Sequence, residues 1–211
     1  CSSDLSIEAN IGSNKAISPF TEGYATSGDN QFLNITGINH FDLGVRKMLN
    51  RYFGFKFDFA HDLIESQEGD TDSKPFQSFQ NRISLQGYAN LGRVLNFETF
   101  TKRFGLLAHG GVQISTFDGK TKAGASFDEY NGGLIIGLSP QVKITNKLVA
   151  NFDYSFLLNT RQHLAWDGNS SADANNLKGE MNILSFGLTL YMGDKKKEHA
   201  DWFIPLTPKQ D

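Results

Sequence analysis

Cysteine and proline are scarce in this chain. Its 211 residues include one cysteine, Cys1, and five prolines. A single thiol forms no internal disulfide and no thiolate metal centre. Few prolines leave long stretches free to pair as β-strands, because proline removes a ladder hydrogen bond. Cys1 is followed by Ser2-Ser3-Asp4, as at the processed end of a bacterial lipoprotein, so lipidation of Cys1 is one expectation. The plainer alternative is that the sequence simply starts there.

Long apolar runs and a strong net charge are also absent. No uninterrupted apolar run approaches the ~18 residues of a membrane-spanning helix, which excludes that class. A membrane β-barrel is not excluded, because its strands are half polar and mean hydropathy averages the two faces. The formal net charge is −3, with no extended basic stripe, so we predict no nucleic-acid partner.

Motifs for catalysis, metal binding and cofactor binding are missing as well. The chain has five histidines, none paired at i, i+4 spacing, and no phosphate-binding loop or nucleophile elbow. His40 and Asp42 share one face of a predicted strand, an arrangement that some barrel hydrolases and acyltransferases place at their rim. No nucleophile accompanies them, so we predict no enzyme, no cofactor and no metal.

Strict alternation of apolar and polar residues is what the sequence has in abundance. In the octet 53–60 every second residue is Phe, and Gly, Lys, Asp and Ala occupy the other positions. Eight segments alternate in this way: 5–12, 39–49, 53–60, 81–91, 104–114, 133–144, 148–157 and 182–192. Each is about as long as the 9–11 residues of a tilted membrane strand. The pattern predicts an all-β fold, an eight-stranded antiparallel up-and-down transmembrane β-barrel over 5–193. Residues 1–4 would be a spacer and 194–211 a periplasmic tail or linker.

The connections alternate in length. Long polar stretches follow strands one, three, five and seven, at 13–38, 61–80, 115–132 and 158–181, and two-residue turns follow strands two and six. Outer-membrane barrels have long extracellular loops and short periplasmic turns, so we expect extracellular loops and two periplasmic termini. The stretch 92–103 is too long for a turn, which suggests that strands four and five continue there. Pro140 suggests a bulge.

Charged residues repeatedly fall on the face opposite the aromatic residues. The predicted lipid-facing aromatics are Phe53, Phe55, Phe57, Phe59, Phe152 and Phe186. The predicted interior ions are the acids Glu8, Asp42, Asp58 and Asp153 and the bases Arg46, Lys56, Arg82 and Lys143. Ions confined in so narrow a barrel must pair, which predicts a plugged interior. From their distances to the turns we expect Glu8, Arg46, Lys56 and Asp153 to form its central layer.

Two alternatives stay open at this point. Re-pairing of the interior ions would make the barrel a small porin-like channel. Turned inside out, the same alternation would describe a soluble lipocalin-like barrel that binds an apolar ligand among its Phe side chains. The alternation alone does not show whether the apolar face points inward or outward, so it fits a lipocalin-like barrel and a membrane barrel equally well. Four long loops at one end favour the membrane barrel.

Several segments resemble the barrel half of OmpA-like outer-membrane proteins of the Bacteroidota type. They are Asn39-His-Phe-Asp-Leu-Gly-Val-Arg46, Ile83-Ser-Leu-Gln-Gly87, Asn90-Leu-Gly-Arg-Val-Leu-Asn-Phe-Glu-Thr-Phe100, Arg103-Phe-Gly-Leu-Leu-Ala-His109 and Ser185-Phe-Gly-Leu-Thr-Leu-Tyr191. The resemblance covers roughly residues 5–203, and Asn-Phe-Glu-Thr-Phe is its most specific part.

The resemblance implies an outer-membrane barrel that often continues into a periplasmic domain gripping the diaminopimelate group of peptidoglycan. No residue of that domain can be assigned before Asp211, and in a longer protein His199 to Trp202 would begin the linker. We therefore expect a non-enzymatic structural anchor or an accessory subunit of an outer-membrane complex. The expected partners are outer-membrane lipid, peptidoglycan through a C-terminal region, and other outer-membrane proteins.

Overall fold

A computed structural model describes residues 4–26, 37–66, 73–96, 102–120, 126–170, 177–193 and 199–202. Eight antiparallel strands close into one barrel, each paired with its neighbours in the chain and β1 paired with β8. The strands are β1 (Leu5–Ser18), β2 (His40–Met48), β3 (Phe53–Glu65), β4 (Gln77–Asn90), β5 (Phe104–Lys120), β6 (Ser126–Lys143), β7 (Leu148–Gln162) and β8 (Leu177–Tyr191). The predicted fold class is confirmed.

The alternation of outward and inward side chains along each strand decides which residues face the barrel interior and which form its outer surface. On β3 the residues from Phe53 to Ala60 alternate exposed and buried without a break. The register places Phe57 opposite Val45 on β2 and Leu85 on β4, so outward residues form rows around the wall. A one-residue slip would turn the apolar residues inward, and the alternation therefore specifies the register as well as the strands.

Seven of the eight strands, all except β2, run further than the alternation predicted, and always at the same end. We call this end, which carries the β1–β2, β3–β4, β5–β6 and β7–β8 connections, the loop end, and the opposite end the turn end. The expected long connection at 115–132 is wrong, because β5 continues to Lys120 and β6 begins at Ser126. At the loop end the strand segments beyond the alternating stretches carry polar residues at buried positions, such as Asn159 and Gln162. The apolar–polar pattern therefore did not show that the strands continue there.

Two further expectations at the turn end and on β6 are also wrong. Strands β4 and β5 do not extend through 92–103, because β4 ends at Asn90 and a four-residue helix, α1 (Leu91–Val94), follows. The Asn90 side chain accepts a hydrogen bond from the Arg93 backbone N–H, as helix-capping asparagines do. Pro140 causes no bulge, since Leu138–Tyr154 and Gln141–Asn151 on either side keep one register with β7.

No helix among the residues that the structure describes is long and apolar enough to span a membrane.

Candidate functional site: the barrel interior and its closures

A continuous series of ionic contacts follows the barrel interior, and we call it the ionic chain. It starts at Asp201, whose carboxylate lies 2.9 Å from Arg46, and Arg46 Nε donates to Glu8 over 2.5 Å. The remaining contacts, Lys56–Glu8 at 3.3 Å, Lys56–Asp42 at 3.3 Å, His40–Asp42 at 3.2 Å, His40–Asp62 at 2.6 Å and Arg82–Asp62 at 2.8 Å, lead towards the loop end. Acids and bases alternate along it, so each buried ion has an opposite neighbour.

The turn end of the barrel is closed by the segment His199–Trp202. The Asp201 carboxylate accepts two hydrogen bonds from Arg46 and one from the Tyr191 hydroxyl, at 2.8–3.1 Å. Its backbone carbonyl accepts hydrogen bonds from Asn90 Nδ2 and from the Arg93 guanidinium. Trp202 Nε1 donates to the Tyr191 hydroxyl over 2.9 Å. The segment is therefore held by β2, β4, β8 and α1 together.

Charge and ring stacking both hold this segment. Burial alone would raise the pKa of the Asp201 carboxyl, but the opposing charge of Arg46, helped by His199, holds that pKa well below its usual range. The His199 ring stacks on Tyr191 with centroids 3.8 Å apart, and Lys143 Nζ lies 5.6 Å from the Trp202 ring centre. The carboxylate of Asp201 is thus ionised while the segment is docked.

We predict that Asp201→Asn releases the docked segment. The amide keeps the shape but loses the charge-assisted hydrogen bonds to Arg46, which contribute about 1.5–3 kcal/mol. In a Trp166→Phe background the only tryptophan is Trp202, and its fluorescence should become accessible to iodide. The control is Asp128→Asn, an exposed carboxylate on β6; equal quenching in both variants would contradict the prediction.

The same docking should depend on pH in one direction. A carboxyl whose pKa is lowered in the docked state stabilises that state above its ordinary pKa of about 4 and loses this contribution as pH falls below it. Docking should therefore be constant from pH 8 to pH 5 and weaken on further acidification. In Asp201→Asn this acid-dependent release of Trp202 should disappear.

A second polar cluster fills the interior beside the ionic chain. His109 lies 2.6 Å from Gln86 Oε1 and 3.0 Å from Asp153, and its ring stacks on Tyr88. Asp153 also accepts hydrogen bonds from Ser139 and Ser155. Asp58 accepts hydrogen bonds from Ser84 and Gln86, at 2.5 Å and 2.8 Å. Asp153 thus belongs to the histidine cluster, and only Glu8, Arg46 and Lys56 of the expected central layer meet.

An apolar cluster closes the loop end. Trp166, in the connection between β7 and β8, is fully buried, and its ring packs edge-on against Phe117. Its indole N–H donates to the Ser18 carbonyl over 2.7 Å, and the following Asp167 carboxylate accepts two hydrogen bonds from Thr21. Gly168 permits this insertion, because its φ of +77° belongs to the left-handed region.

Between the two closures the interior is filled. A cavity among the interior ions, lined by His40, Asp42 and Lys56, holds about 20 Å³, which is room for about one water molecule. Among these residues no group of three or more His, Cys, Asp and Glu side chains is arranged to hold a metal ion. The arrangement can brace the barrel and transmit load between its ends.

The outer face of the wall is apolar. The six predicted outward aromatics are between 41 % and 55 % exposed: Phe53, Phe55, Phe57, Phe59, Phe152 and Phe186. Aliphatic side chains such as Leu43, Leu85 and Leu188 lie between them and are equally exposed. A monomeric soluble protein rarely exposes so large a continuous apolar surface.

The predicted interior ions are distributed over three places. Six lie in the ionic chain or beside it, namely Glu8, Asp42, Arg46, Lys56, Asp58 and Arg82. Asp153 lies in the histidine cluster, and Lys143 is half-buried at the turn end beside Trp202. Sequence reasoning missed Asp62 and Asp201. Asp62 continues the inward parity of β3 by one further step, whereas nothing in the local pattern marks Asp201. The predicted lipidation of Cys1 lies outside the described residues.

An eight-stranded up-and-down barrel with an apolar exterior, a charged interior and long hairpins at one end defines the class of outer-membrane β-barrels by fold. Solved structures of that class are similar to it. Neisserial surface protein A has a TM-score of 0.56 and 11 % sequence identity, with 89 % of this chain and 96 % of that chain covered. A major outer membrane protein from Thermus thermophilus has a TM-score of 0.56 and 12 % identity, with 89 % and 98 % covered.

No protein-family model and no curated protein sequence matches the chain. The likeness to the solved structures therefore concerns the fold.

Proposed function

We propose that this protein is a non-enzymatic outer-membrane β-barrel that acts as an anchor rather than as a pore. The observation that carries the proposal is the sorting of the two faces, with apolar side chains outside and a sealed ionic chain inside. On β5 the apolar outer positions run from Phe104 to Ile114, and at ~3.4 Å per residue and a tilt of ~35–45° they span about 25 Å. This is the height of the apolar band of membrane barrels.

The two alternatives from the sequence have less support. A lipocalin-like protein needs an apolar cavity, whereas the interior here holds buried ions and the Phe row lies outside. A channel needs a wide interior, whereas the described residues close both ends and the cavity among the interior ions holds only about 20 Å³. Opening the turn-end closure would remove Asp201 from the buried Arg46, at a cost of several kcal/mol. Opening the loop-end closure would expose the apolar cluster around Trp166 to water.

Orientation follows from the lengths of the connections. By analogy with barrels whose loops are long outside and short inside, the loop end would be extracellular and the turn end periplasmic. The docked segment His199–Trp202 then lies at the periplasmic mouth. A chain that follows it would start from a segment held by contacts to four elements.

The finer role that we propose is attachment of the outer membrane to another envelope structure. The resemblance to OmpA-like proteins of the Bacteroidota type favours peptidoglycan, reached through a region beyond the docked segment. The firm hold on Asp201 supports this role, because tension on a following chain would be transmitted to β2 through Arg46. The second candidate is an accessory subunit of an outer-membrane complex, which the exposed loop-end hairpins favour.

Membrane location and closure are tested together. We expect the protein to sediment with membranes after alkaline carbonate washing and to enter solution only with detergent. In planar bilayers it should give no stepwise conductance. Release into the aqueous fraction would refute the membrane location, and regular conductance steps would refute the closed interior.

The anchor role has a separate test. Isolated peptidoglycan sacculi should retain the protein from intact cells in mild detergent, and lysozyme should release it. If the protein instead stays with other outer-membrane proteins after lysozyme treatment, the accessory-subunit role is favoured.

A further inference from the structure

The outer wall contains a groove near the loop end, which we call the outer groove. It encloses about 460 Å³ and its floor and sides include Phe59, Ile83, Ile114 and Gly132. These residues form one row around the wall, because Phe59 pairs with Ile83, Ile83 with Ile114 and Ile114 with Gly132. The volume lies within the roughly 300–1,000 Å³ of sites that take small molecules.

Gly132 opens the groove, and nothing in the barrel requires a glycine there. A Cβ at this position would meet only the Gln113 carbonyl oxygen, at 3.9 Å. At Gly133, by contrast, a Cβ would come within 2.2 Å of the Leu158 carbonyl, so that glycine is structural. Glycine in a strand costs conformational entropy and often marks a bulge, a bend or the close approach of a ligand or another backbone. The absent side chain of Gly132 therefore leaves space on the surface.

A register shift next to Gly132 turns a cation towards the groove. Gly132 pairs with Arg161, whereas Gly133 pairs with Asn159, so β7 carries one extra residue here. With regular alternation from the inward Asn159, residue 161 would point inward. Instead both Thr160 and Arg161 are exposed, and Gln162 is the next buried residue. Bulges of this kind re-aim side chains at functional sites, and the re-aimed side chain lines the groove.

The groove crosses the border between the apolar belt and the polar loop end. One row above it lie Asn81, Thr116 and Tyr130, which also line the groove. Tyr130 is 77 % exposed, as is typical of aromatic residues at a membrane interface. Among the described residues, Arg161 has no carboxylate partner. An apolar floor, an amide and hydroxyl rim and one free guanidinium therefore meet at the level of lipid headgroups.

We propose that the outer groove binds a phosphorylated glycolipid of the lipid A class. Acyl chains would lie along Phe59, Ile83 and Ile114, and a phosphate would accept hydrogen bonds from Arg161, which pairs with phosphate in two-pronged geometry. The amide and hydroxyls of the rim suit the hydroxyls of a sugar backbone better than those of a small glycerol headgroup. The inference rests on the proposed membrane location, with the loop end in the outer leaflet.

Native mass spectrometry of the full chain in detergent, with hexa-acyl diphosphorylated lipid A added, tests the proposal. The wild type should retain one lipid A molecule. Arg161→Gln should weaken retention at least about tenfold, the effect of losing one charge-assisted hydrogen bond. Gly132→Leu should weaken it comparably, because the side chain fills the groove without meeting the barrel.

The matched control is Gly87→Leu, at a second outward glycine on the same wall. A Cβ there would meet only the Gly110 carbonyl oxygen, at 3.8 Å, and no arginine or lysine is among the described residues that line the depression around it. Its retention of lipid A should equal that of the wild type. Equal retention by the wild type, Arg161→Gln and Gly132→Leu would overturn the proposal, as would phosphatidylglycerol binding as tightly as lipid A. If the proposed membrane location is wrong, the protein will instead be extracted without detergent. This outcome differs from a loss of lipid A binding, so the two proposals can fail separately.

Discussion

Replacing Arg46 with alanine is expected to destabilise the barrel by about 3–5 kcal/mol, as does breaking other buried ion pairs by removing one partner. The Arg46 side chain is fully buried and joins Glu8 on β1 to Asp201 in the docked segment. Its loss removes the arginine partner from two buried carboxylates, Glu8 and Asp201. Urea unfolding in lipid vesicles, followed by tryptophan fluorescence, measures the effect as a lower midpoint.

The adjacent residue provides the control for this variant. Lys47 follows Arg46 on β2 and is exposed on the outer face, so Lys47→Ala should change stability by no more than about 0.5 kcal/mol. Equal midpoints for the two variants would show that the ionic chain contributes little. In Glu8→Gln the cost of losing Arg46 should be smaller, because one of the two stranded acids is then neutral.

Replacing Phe57 with arginine is expected to impair assembly into the membrane, with a cost of about 2–4 kcal/mol near the bilayer midplane. Phe57 lies within the apolar belt, opposite Val45 and Leu85, and is 55 % exposed on the outer face. An arginine at this position would have to extend its guanidinium far along the wall to reach the lipid headgroups. The folded fraction after dilution from urea into vesicles, read from the mobility of the unheated barrel on gels, measures the defect.

Two companion variants separate the lipid contact from a general packing effect. Phe57→Leu keeps an apolar surface and should fold with nearly wild-type yield. Thr116→Arg lies on the outer face beyond the belt at the loop end, where an arginine costs only about 0–1 kcal/mol. If Phe57→Arg assembles as well as Thr116→Arg, the outer face of the barrel does not meet hydrocarbon.

The two closures differ in chemistry, and the difference follows from what each end has available. Near the turn end, inward positions of β2, β4 and β8 carry Arg46, Asn90 and Tyr191, so a carboxylate is the natural complement. At the loop end several inward positions beyond the ionic chain are apolar, among them Ile64 and Phe117, and the Trp166 indole ring packs against them. Each closure thus matches the chemistry of the inward side chains that it contacts.

Local pattern predicted most of the barrel. A period of two decides strand identity and, once the barrel closes, which side chains share a face, so the Phe53–Phe59 row and the pairing partners Glu8, Arg46 and Lys56 were accessible from the sequence. The strand ends were not, because polar residues such as Asn159 and Gln162 interrupt the alternation there. Pro140 was misjudged, since an outward proline can be accommodated without a change of register.

The sequence by itself determined the number of strands, their parity and the excess of polar groups inside, because these follow from nearest-neighbour geometry along an extended chain. Only the tertiary structure decided that Asp201 meets Arg46, 155 positions away, and that one extra residue on β7 turns Arg161 outward. Both results depend on how distant segments pack against each other once the barrel has closed. The two-residue period of apolar and polar side chains is a local property and contains no information about such contacts.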